Sequence, residues 1–152
     1  MPSLSLHSPM GPLTLYEDDG LLVSLDWCWA PPSDETGLLT LACNQLTEYF
    51  DGERETFSLP FAPKGTAFQL RVWSAMCEIP YGDAWSYGDL AKNLHTSPRA
   101  VGGACGRNPL PIFIPCHRVV GSNGTLTGYS GGDGLVSKDF LLDLERGGQR
   151  LL

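Results

Sequence analysis

The residues best suited to chemistry stand together at Pro115-Cys116-His117-Arg118. A cysteine becomes a nucleophile when its pKa is lowered and a neighbouring base accepts its proton. His117 supplies a base and Arg118 a fixed positive charge beside Cys116 in the sequence. Adjacent side chains often point apart, however, and free cysteines are usually structural. The spacing alone therefore favours a buried structural cysteine over a reactive thiol.

Composition excludes several classes of protein. The chain has 152 residues, 42% of them hydrophobic and 18% charged, which is typical of one globular domain or two small ones. No apolar run approaches the ~18 residues of a membrane span, and the first residues lack the pattern of a signal peptide. Five cysteines without a CxxC pair argue against a disulfide framework and a zinc ribbon. We therefore expect a soluble cytoplasmic protein with free thiols.

Charge is distributed unevenly along the chain. The net charge is −7, but residues 1–63 carry −9 while residues 64–120 carry +3. An acidic whole argues against a phosphate-binding partner, whereas a basic middle segment is compatible with one. The two parts therefore require separate interpretation.

The first third has the pattern of a small α/β unit, which we assign to residues 1–62. Apolar residues alternate with polar ones at 4–7 and 13–16, a third strand is predicted at 21–25, and a fourth at 55–59. Apolar residues spaced three or four apart predict a helix over residues 35–50. Prolines and a glycine at 60–65 mark the linker to the second domain, residues 63–152.

The second domain is predicted to be mostly helical. Thr66 and Gln69 form a capping-box pattern that opens a helix ending near residue 78. Ser86 caps a short helix through residue 94, and Ser97-Pro98 opens another to about residue 107. Two short helices joined by a tight connection indicate a helix-turn-helix. Residues 112–115 are predicted to be extended, and a last helix spans about 136–146.

A longer set of motifs surrounds Cys116 and runs through residues 64–146. Its parts are Gly65-Thr66-x-Phe68-Gln69-x-x-Val72-Trp73, Ile79-Pro80-Tyr81-Gly82, Ser86-Tyr87-Gly88-x-Leu90-Ala91, Arg99-Ala100-Val101-Gly102-Gly103-Ala104, Asn108-Pro109, Pro115-Cys116-His117-Arg118-Val119, Gly128-Tyr129-Ser130-Gly131-Gly132, and Lys138 with Leu141-Leu142 and Glu145. This set resembles the O6-alkylguanine-DNA alkyltransferase family. The resemblance reverses the preference for a structural cysteine.

The resemblance implies a fold and a reaction. The fold would be a two-domain α+β protein, with a ribonuclease-H-like N-terminal domain and a C-terminal domain that carries a winged-helix-like helix-turn-helix. Cys116 would remove an alkyl group from the O6 of guanine in DNA and keep it as a stable thioether. The protein would thus be a methyltransferase that is consumed in its own reaction, without a cofactor.

The resemblance also implies roles for particular residues. His117 would take the thiol proton through a bridging water, Glu145 would hold His117 in the correct tautomer, and Asn108 would brace the turn before the active-site strand. Tyr87 would donate a hydrogen bond to the departing base, and Arg99 would enter the stack where the flipped nucleotide was. The residues implied to line the base pocket are Val119, through its backbone, Tyr129 and Ser130.

The partner implied by the resemblance is double-stranded DNA that carries O6-alkylguanine, bound through its minor groove by a monomer. The candidate phosphate contacts are Thr66, Lys92, Arg107 and Arg118. Some relatives bind zinc in the N-terminal domain, but His7, Cys28 and Cys43 do not form a convincing ligand set, so we predict no metal. Cys105 is expected to be a packed small apolar residue.

Three other functions compete with alkyl transfer. A lesion-binding relative without transfer activity would replace the cysteine, whereas Cys116 is present. A transcription regulator would need a dimerising element and a more basic recognition helix, and neither is evident in the sequence. A cysteine hydrolase would turn over and would need an oxyanion site, which the sequence does not reveal.

Overall fold

We describe residues 1–122 and 134–147 in a computed structural model. These residues form two units that divide between residues 64 and 65, while sequence analysis places the boundary after residue 62. A sheet dominates the first unit and helices dominate the second, so the predicted two-domain α+β organisation is confirmed. Within the described ranges, no helix is both long and apolar enough to cross a bilayer.

The first unit is built on a three-stranded antiparallel sheet in the order β1-β2-β3. Its strands are β1 (Ser3–Ser8), β2 (Gly11–Asp18) and β3 (Leu21–Asp26). The three strands predicted at 4–7, 13–16 and 21–25 are thus confirmed. Turns at 9–10 and 19–20 join them, and a bulge interrupts the β2-β3 register between Tyr16 and Glu17.

One helix, α1 (Gly37–Phe50), packs against this sheet. The hydroxyl of Thr36 caps it by accepting a hydrogen bond from the amide of Leu39 at 3.2 Å. Its apolar side chains recur at helical spacing and are buried with those of the strands, as the sequence predicts. The buried residues at the centre of this core are Leu13, Leu15, Leu22, Leu39, Leu46 and Tyr49.

The fourth strand predicted at 55–59 is wrong. The segment pairs with no strand, and the amide of Ser58 instead donates to the side chain of Gln45 on α1 at 3.0 Å. A single parallel bridge forms later, between Leu22 and Phe61. Prolines at 60 and 63 remove the amide donors that a longer ladder would need, so the pairing does not extend.

The second unit begins with α2 (Ala67–Met76), α3 (Tyr87–Leu94) and α4 (Pro98–Cys105). The predicted caps Thr66, Ser86 and Ser97 all form, and Gln69 completes the capping box at Thr66. α2 and α4 end about two residues earlier than the sequence suggests. Because each start is specified by a local side chain–backbone bond, the starts are predicted more closely than the ends.

α2, α3 and α4 pack against one another, and a left-handed residue shapes the turn between the last two. His95 adopts φ 56° at the C-terminus of α3. The amide of Thr96 then bonds to the carbonyl of Ala91 at 2.9 Å. The indole of Trp73 on α2 donates to the carbonyl of Ala104 on α4 at 2.8 Å, which ties the first and third of these helices together.

The segment after α4 differs from the predicted extended run at 112–115. The amide of Ile114 bonds to the carbonyl of Leu110 at 2.9 Å, and Ile112 adopts φ 76°, so the chain turns. A short 3-10 helix, Cys116–Arg118, follows. It leads into β5 (Val119–Val120), which pairs in parallel with β4 (Trp85–Ser86). The predicted last helix is confirmed as α5 (Leu135–Glu145), and Gly147 follows it at φ 104°.

Candidate active site

Cys116 is positioned by a loop that the side chain of Asn108 closes. The Asn108 amide nitrogen donates to the carbonyl of Ile114 at 2.8 Å, and its oxygen accepts from the amide of Leu110 at 2.9 Å. The predicted bracing of this turn is therefore confirmed. Cys116 itself opens the 3-10 helix, not a strand, which corrects the expectation of an active-site strand. Cys116 does not lie in a strand because the loop closed by Asn108 ends directly at the start of the 3-10 helix.

The thiol of Cys116 is kept out of solvent, with only 7% of the residue exposed. Burial raises its pKa above the ordinary value, because a thiolate loses hydration in an apolar environment. A hydrogen bond from Asn108 and the positive charge of Lys138 oppose this effect without outweighing it. The resting cysteine is therefore a neutral thiol that needs a base when it reacts.

His117 and Glu145 form the closest pair in the site. The Nε2 of His117 lies 2.6 Å from Oε2 of Glu145, and both side chains are fully buried. Burial raises the pKa of Glu145, but hydrogen bonds from His117 and Arg118 outweigh it and bring the pKa to about 2. The carboxylate is thus ionised and accepts a hydrogen bond from the N–H group at Nε2 of His117. This bond fixes the tautomer of the ring.

The other ring nitrogen of His117 remains available. Its Nδ1 is buried and has no hydrogen-bond partner among the described residues. Burial lowers the pKa of His117, and this outweighs the opposing effect of Glu145. The ring is therefore neutral at neutral pH, with a lone pair on Nδ1 that can accept a proton.

Arg118 does not occupy the position predicted for a phosphate contact. Its guanidinium is almost wholly buried, and two of its nitrogens donate to the two oxygens of Glu145 at 2.7 and 2.9 Å. A third nitrogen donates to the carbonyl of Ile79 at 2.7 Å. The prediction that Arg118 binds DNA is wrong, because its donors are committed inside the protein.

Lys138 is a site residue to which sequence reasoning gave no role. Its side chain is buried, and Nζ donates to the hydroxyl of Tyr87 at 3.4 Å. Lys138 and Glu145 are seven residues apart on α5, on the same face as the buried Leu141 and Leu142. Two charged residues on an otherwise apolar helix face were the available signal, since buried charges require partners.

The remaining predicted residues differ in exposure where the structure describes them. Arg99, on the first turn of α4, is exposed, as are Thr66, Lys92 and Arg107. Val119 is buried in β5, where it pairs with Trp85. Tyr129 and Ser130 lie outside the described residues. Cys105 is buried with its sulfur 3.3 Å from that of Met76, and burial raises its pKa to about 12, so the expected packing role is confirmed.

No metal centre accompanies these groups in the described part of the chain. Among residues 1–122 and 134–147, no group of three His, Cys, Asp or Glu residues is placed to hold an ion. His7 instead stacks on Trp29, with ring centroids 4.7 Å apart.

Comparison with known proteins covers both units. Residues 67–147 match the family described as 6-O-methylguanine DNA methyltransferase, DNA binding domain. Residues 4–63 match the one described as 6-O-methylguanine DNA methyltransferase, ribonuclease-like domain. Together these matches account for nearly all of the chain.

Individual relatives are similar over more than nine-tenths of their length. The chain is 46% identical over 153 residues to the constitutive methylated-DNA--protein-cysteine methyltransferase of Bacillus subtilis, with 92% of each covered. It is 43% identical over 149 residues to the Methanosarcina acetivorans protein of that name, covering 91% and 94%. The crystal structure of Mycobacterium tuberculosis OGT in complex with DNA superposes with a TM-score of 0.85 at 41% identity, covering 95% of this chain and 92% of that one.

Proposed function

We infer that this chain, which belongs to the 6-O-methylguanine DNA methyltransferase family, is a DNA repair protein that transfers the alkyl group of O6-alkylguanine irreversibly to its own cysteine. Its activity is that of a methylated-DNA--protein-cysteine methyltransferase. The observation that carries the assignment of residues is that three buried groups, a neutral thiol at Cys116, a neutral imidazole at His117 and an ionised carboxylate at Glu145, occur in one unit, with the last two hydrogen-bonded to each other.

The proton of Cys116 passes to His117. Because Nε2 of the ring donates to Glu145, Nδ1 is the nitrogen that accepts this proton, directly or through one water. The carboxylate of Glu145 then stabilises the imidazolium that forms. The three residues thus supply a base only at the moment when the thiolate is needed.

The reaction is a displacement at the alkyl carbon. The sulfur of Cys116 forms a bond to that carbon with its lone pair, and the bond from carbon to O6 of guanine breaks with its electrons going to the base. Tyr87 donates a hydrogen bond to the departing guanine, and its hydroxyl is itself held by Lys138. A thioether has no good leaving group, so each molecule reacts once.

DNA binding uses a different surface. The exposed Arg99 stands on the first turn of α4, the second helix of the helix-turn-helix, and enters the base stack when the damaged nucleotide is flipped out. Lys92, Arg107 and Thr66 contact phosphates. We propose that the helix-turn-helix is winged-helix-like and lies in the minor groove, that the N-terminal domain is ribonuclease-H-like, and that a monomer binds.

The decisive experiment is an intact mass after equimolar protein is mixed with duplex DNA that contains O6-methylguanine. We expect the wild-type protein to gain one methyl group and Cys116→Ser to gain none, because a serine hydroxyl is not ionised near neutral pH. Cys28→Ser, which removes an exposed cysteine of the first unit, is the matched control and should react as the wild type does.

Each other outcome identifies a competing function. Methyl transfer by Cys116→Ser at the wild-type rate would overturn the assignment of the nucleophile. DNA binding without a mass gain in the wild-type protein would indicate a lesion-binding protein or a regulator. Release of more than one equivalent of product would indicate a hydrolase.

A further inference from the structure

Arg118 is held more tightly than a DNA-contacting residue would be. Its guanidinium makes three hydrogen bonds inside the protein. The central carbon of the guanidinium, Cζ, lies 5.7 Å from the centre of the Tyr81 ring. A phosphate could reach it only if these contacts were broken and the charge re-exposed. The residue must therefore act within the protein.

The two oxygens of Glu145 accept hydrogen bonds from Arg118 and His117 and, at 3.4 Å, from the backbone amide of Gly82. Oε1 accepts from Nε of Arg118, while Oε2 accepts both from Nη2 of Arg118 and from Nε2 of His117. A bidentate arginine fixes the plane of a carboxylate as well as its charge. The orientation of the imidazole therefore depends on the arginine, through the carboxylate that touches both.

The charges in this cluster present a problem that Arg118 resolves. A buried carboxylate beside a histidine favours the protonated ring, since the two would form an ion pair. A ring that is already protonated cannot accept the proton of Cys116. Burial is the main cause of the lowered pKa of His117, and the positive charge of Arg118, which already neutralises Glu145, lowers it further. The imidazole is thereby left neutral despite its carboxylate partner.

We propose that Arg118 is a positioning residue for alkyl transfer, which orients Glu145 and keeps His117 an unprotonated base. This inference rests on the proposed function. It assigns Arg118 to proton transfer and removes it from the surface that binds DNA.

Other titratable groups face the same cluster from each element packed against it. Lys138 faces it from α5, and its charge also lowers the pKa of His117. Cys116 comes from the 3-10 helix itself, and Cys77, at the C-terminus of α2, is within electrostatic reach of Arg118. Both cysteines have raised pKa values and are neutral at neutral pH. Lys138 therefore acts on the pKa of His117 in the same direction as Arg118.

The test is the second-order rate of reaction with free O6-benzylguanine, measured as a function of pH. A free base involves no phosphate, so a DNA-contacting arginine would not affect this rate. We expect Arg118→Met to react at least about tenfold more slowly at neutral pH. The acid limb of its pH–rate profile, where the rate falls as His117 becomes protonated, should lie about one pH unit higher. The reason is that the unneutralised carboxylate raises the pKa of His117. Arg146→Met, which removes an exposed arginine next to Glu145, should match the wild type.

A second variant separates charge from shape. Arg118→Lys keeps the positive charge but cannot bind both carboxylate oxygens as a planar fork does. We expect its acid limb to stay with the wild type while its rate lies between those of the wild type and Arg118→Met. An acid limb shifted as far as that of Arg118→Met would overturn the proposed charge effect.

Two further results would refute the proposal. The first is a folded Arg118→Met protein with the acid limb of the wild type, whatever its rate, since loss of packing alone would not move the limb. The second result needs no variant, so it remains available if Arg118→Met does not fold. Nitrogen NMR of the wild-type protein should show His117 neutral at pH 7, and an imidazolium at that pH would refute the proposal. Failure of the wild type to react at all would instead refute the proposed function.

Discussion

Arg118 and Arg99 are both basic residues of the second unit, but only Arg99 reaches solvent. Arg118 is committed to the carboxylate of Glu145 and to a backbone carbonyl, and it sits in the site that holds the reactive thiol. Arg99 stands on the first turn of α4. The comparison teaches that burial divides the formal charge of this segment: we propose that the buried cation tunes proton transfer and that the exposed cations contact DNA.

The largest effect should come from breaking the buried side of this comparison. Glu145→Gln leaves the guanidinium of Arg118 without its counter-charge and His117 without its anionic partner. We expect alkyl transfer to free O6-benzylguanine to fall by about 100-fold. The free energy of unfolding should fall by about 3–5 kcal/mol, because half of a buried ion pair is lost. Reaction rates and urea unfolding measure the two effects.

The same variant has a pH signature. The pKa of Glu145 is lowered from 4.5 to about 2, so its stabilising contribution is complete above the unfolded value and is lost as pH falls through the folded one. Glu145→Gln should lack this pH dependence between those values. Glu78→Gln, an exposed carboxylate of the same unit, is the control and should change neither rate nor stability. Wild-type behaviour of Glu145→Gln would show that the buried cluster is dispensable.

A smaller effect should come from the exposed side. Arg99→Ala should slow repair of O6-methylguanine in duplex DNA by about tenfold, or ~1.4 kcal/mol, because nothing then fills the stack left by the flipped base. Reaction with free O6-benzylguanine leaves no such gap and should change less than about twofold. The two second-order rates are measured side by side. Equal losses on both substrates would mean that Arg99 supports the fold or the site.

The smallest effect concerns salt, and it sharpens the count of exposed cations. With Arg118 withdrawn from the surface, the charged residues that remain among the proposed phosphate contacts are Lys92 and Arg107. Two neutralised phosphates give a slope of log affinity against log salt near −2, with micromolar binding to undamaged duplex. Titrations at several salt concentrations measure it. A slope steeper than about −6 would mean that many more cations reach the backbone.

Local features of this chain could be predicted from sequence, because the partners lie within a few residues. The caps at Thr66, Ser86 and Ser97 each bond to an amide three positions on, and the sequence displays both members of the bond. The apolar periodicity of α1 likewise needs only its own helix. These starts and faces were accessible without any knowledge of tertiary structure.

Long-range features were not accessible in this way. Arg118 has the sequence context of a surface cation, and only a carboxylate 27 residues away explains its burial. The strand predicted at 55–59 has the right alternation but no neighbour to pair with, and Gln45 satisfies its amide at Ser58 instead. The positive φ of Ile112 is also hidden, since a β-branched residue rarely adopts it. Tertiary contacts decide all three.

The burial of Cys116 has a consequence for the unreacted protein. Oxidants and soluble electrophiles attack thiolates that are exposed. Only 7% of Cys116 is exposed, and the raised pKa of its thiol keeps the sulfur protonated. A molecule that reacts once cannot recover from an accidental encounter by turning over. Burial of the sulfur therefore protects each molecule from side reactions, so that its single reaction remains available for damaged DNA.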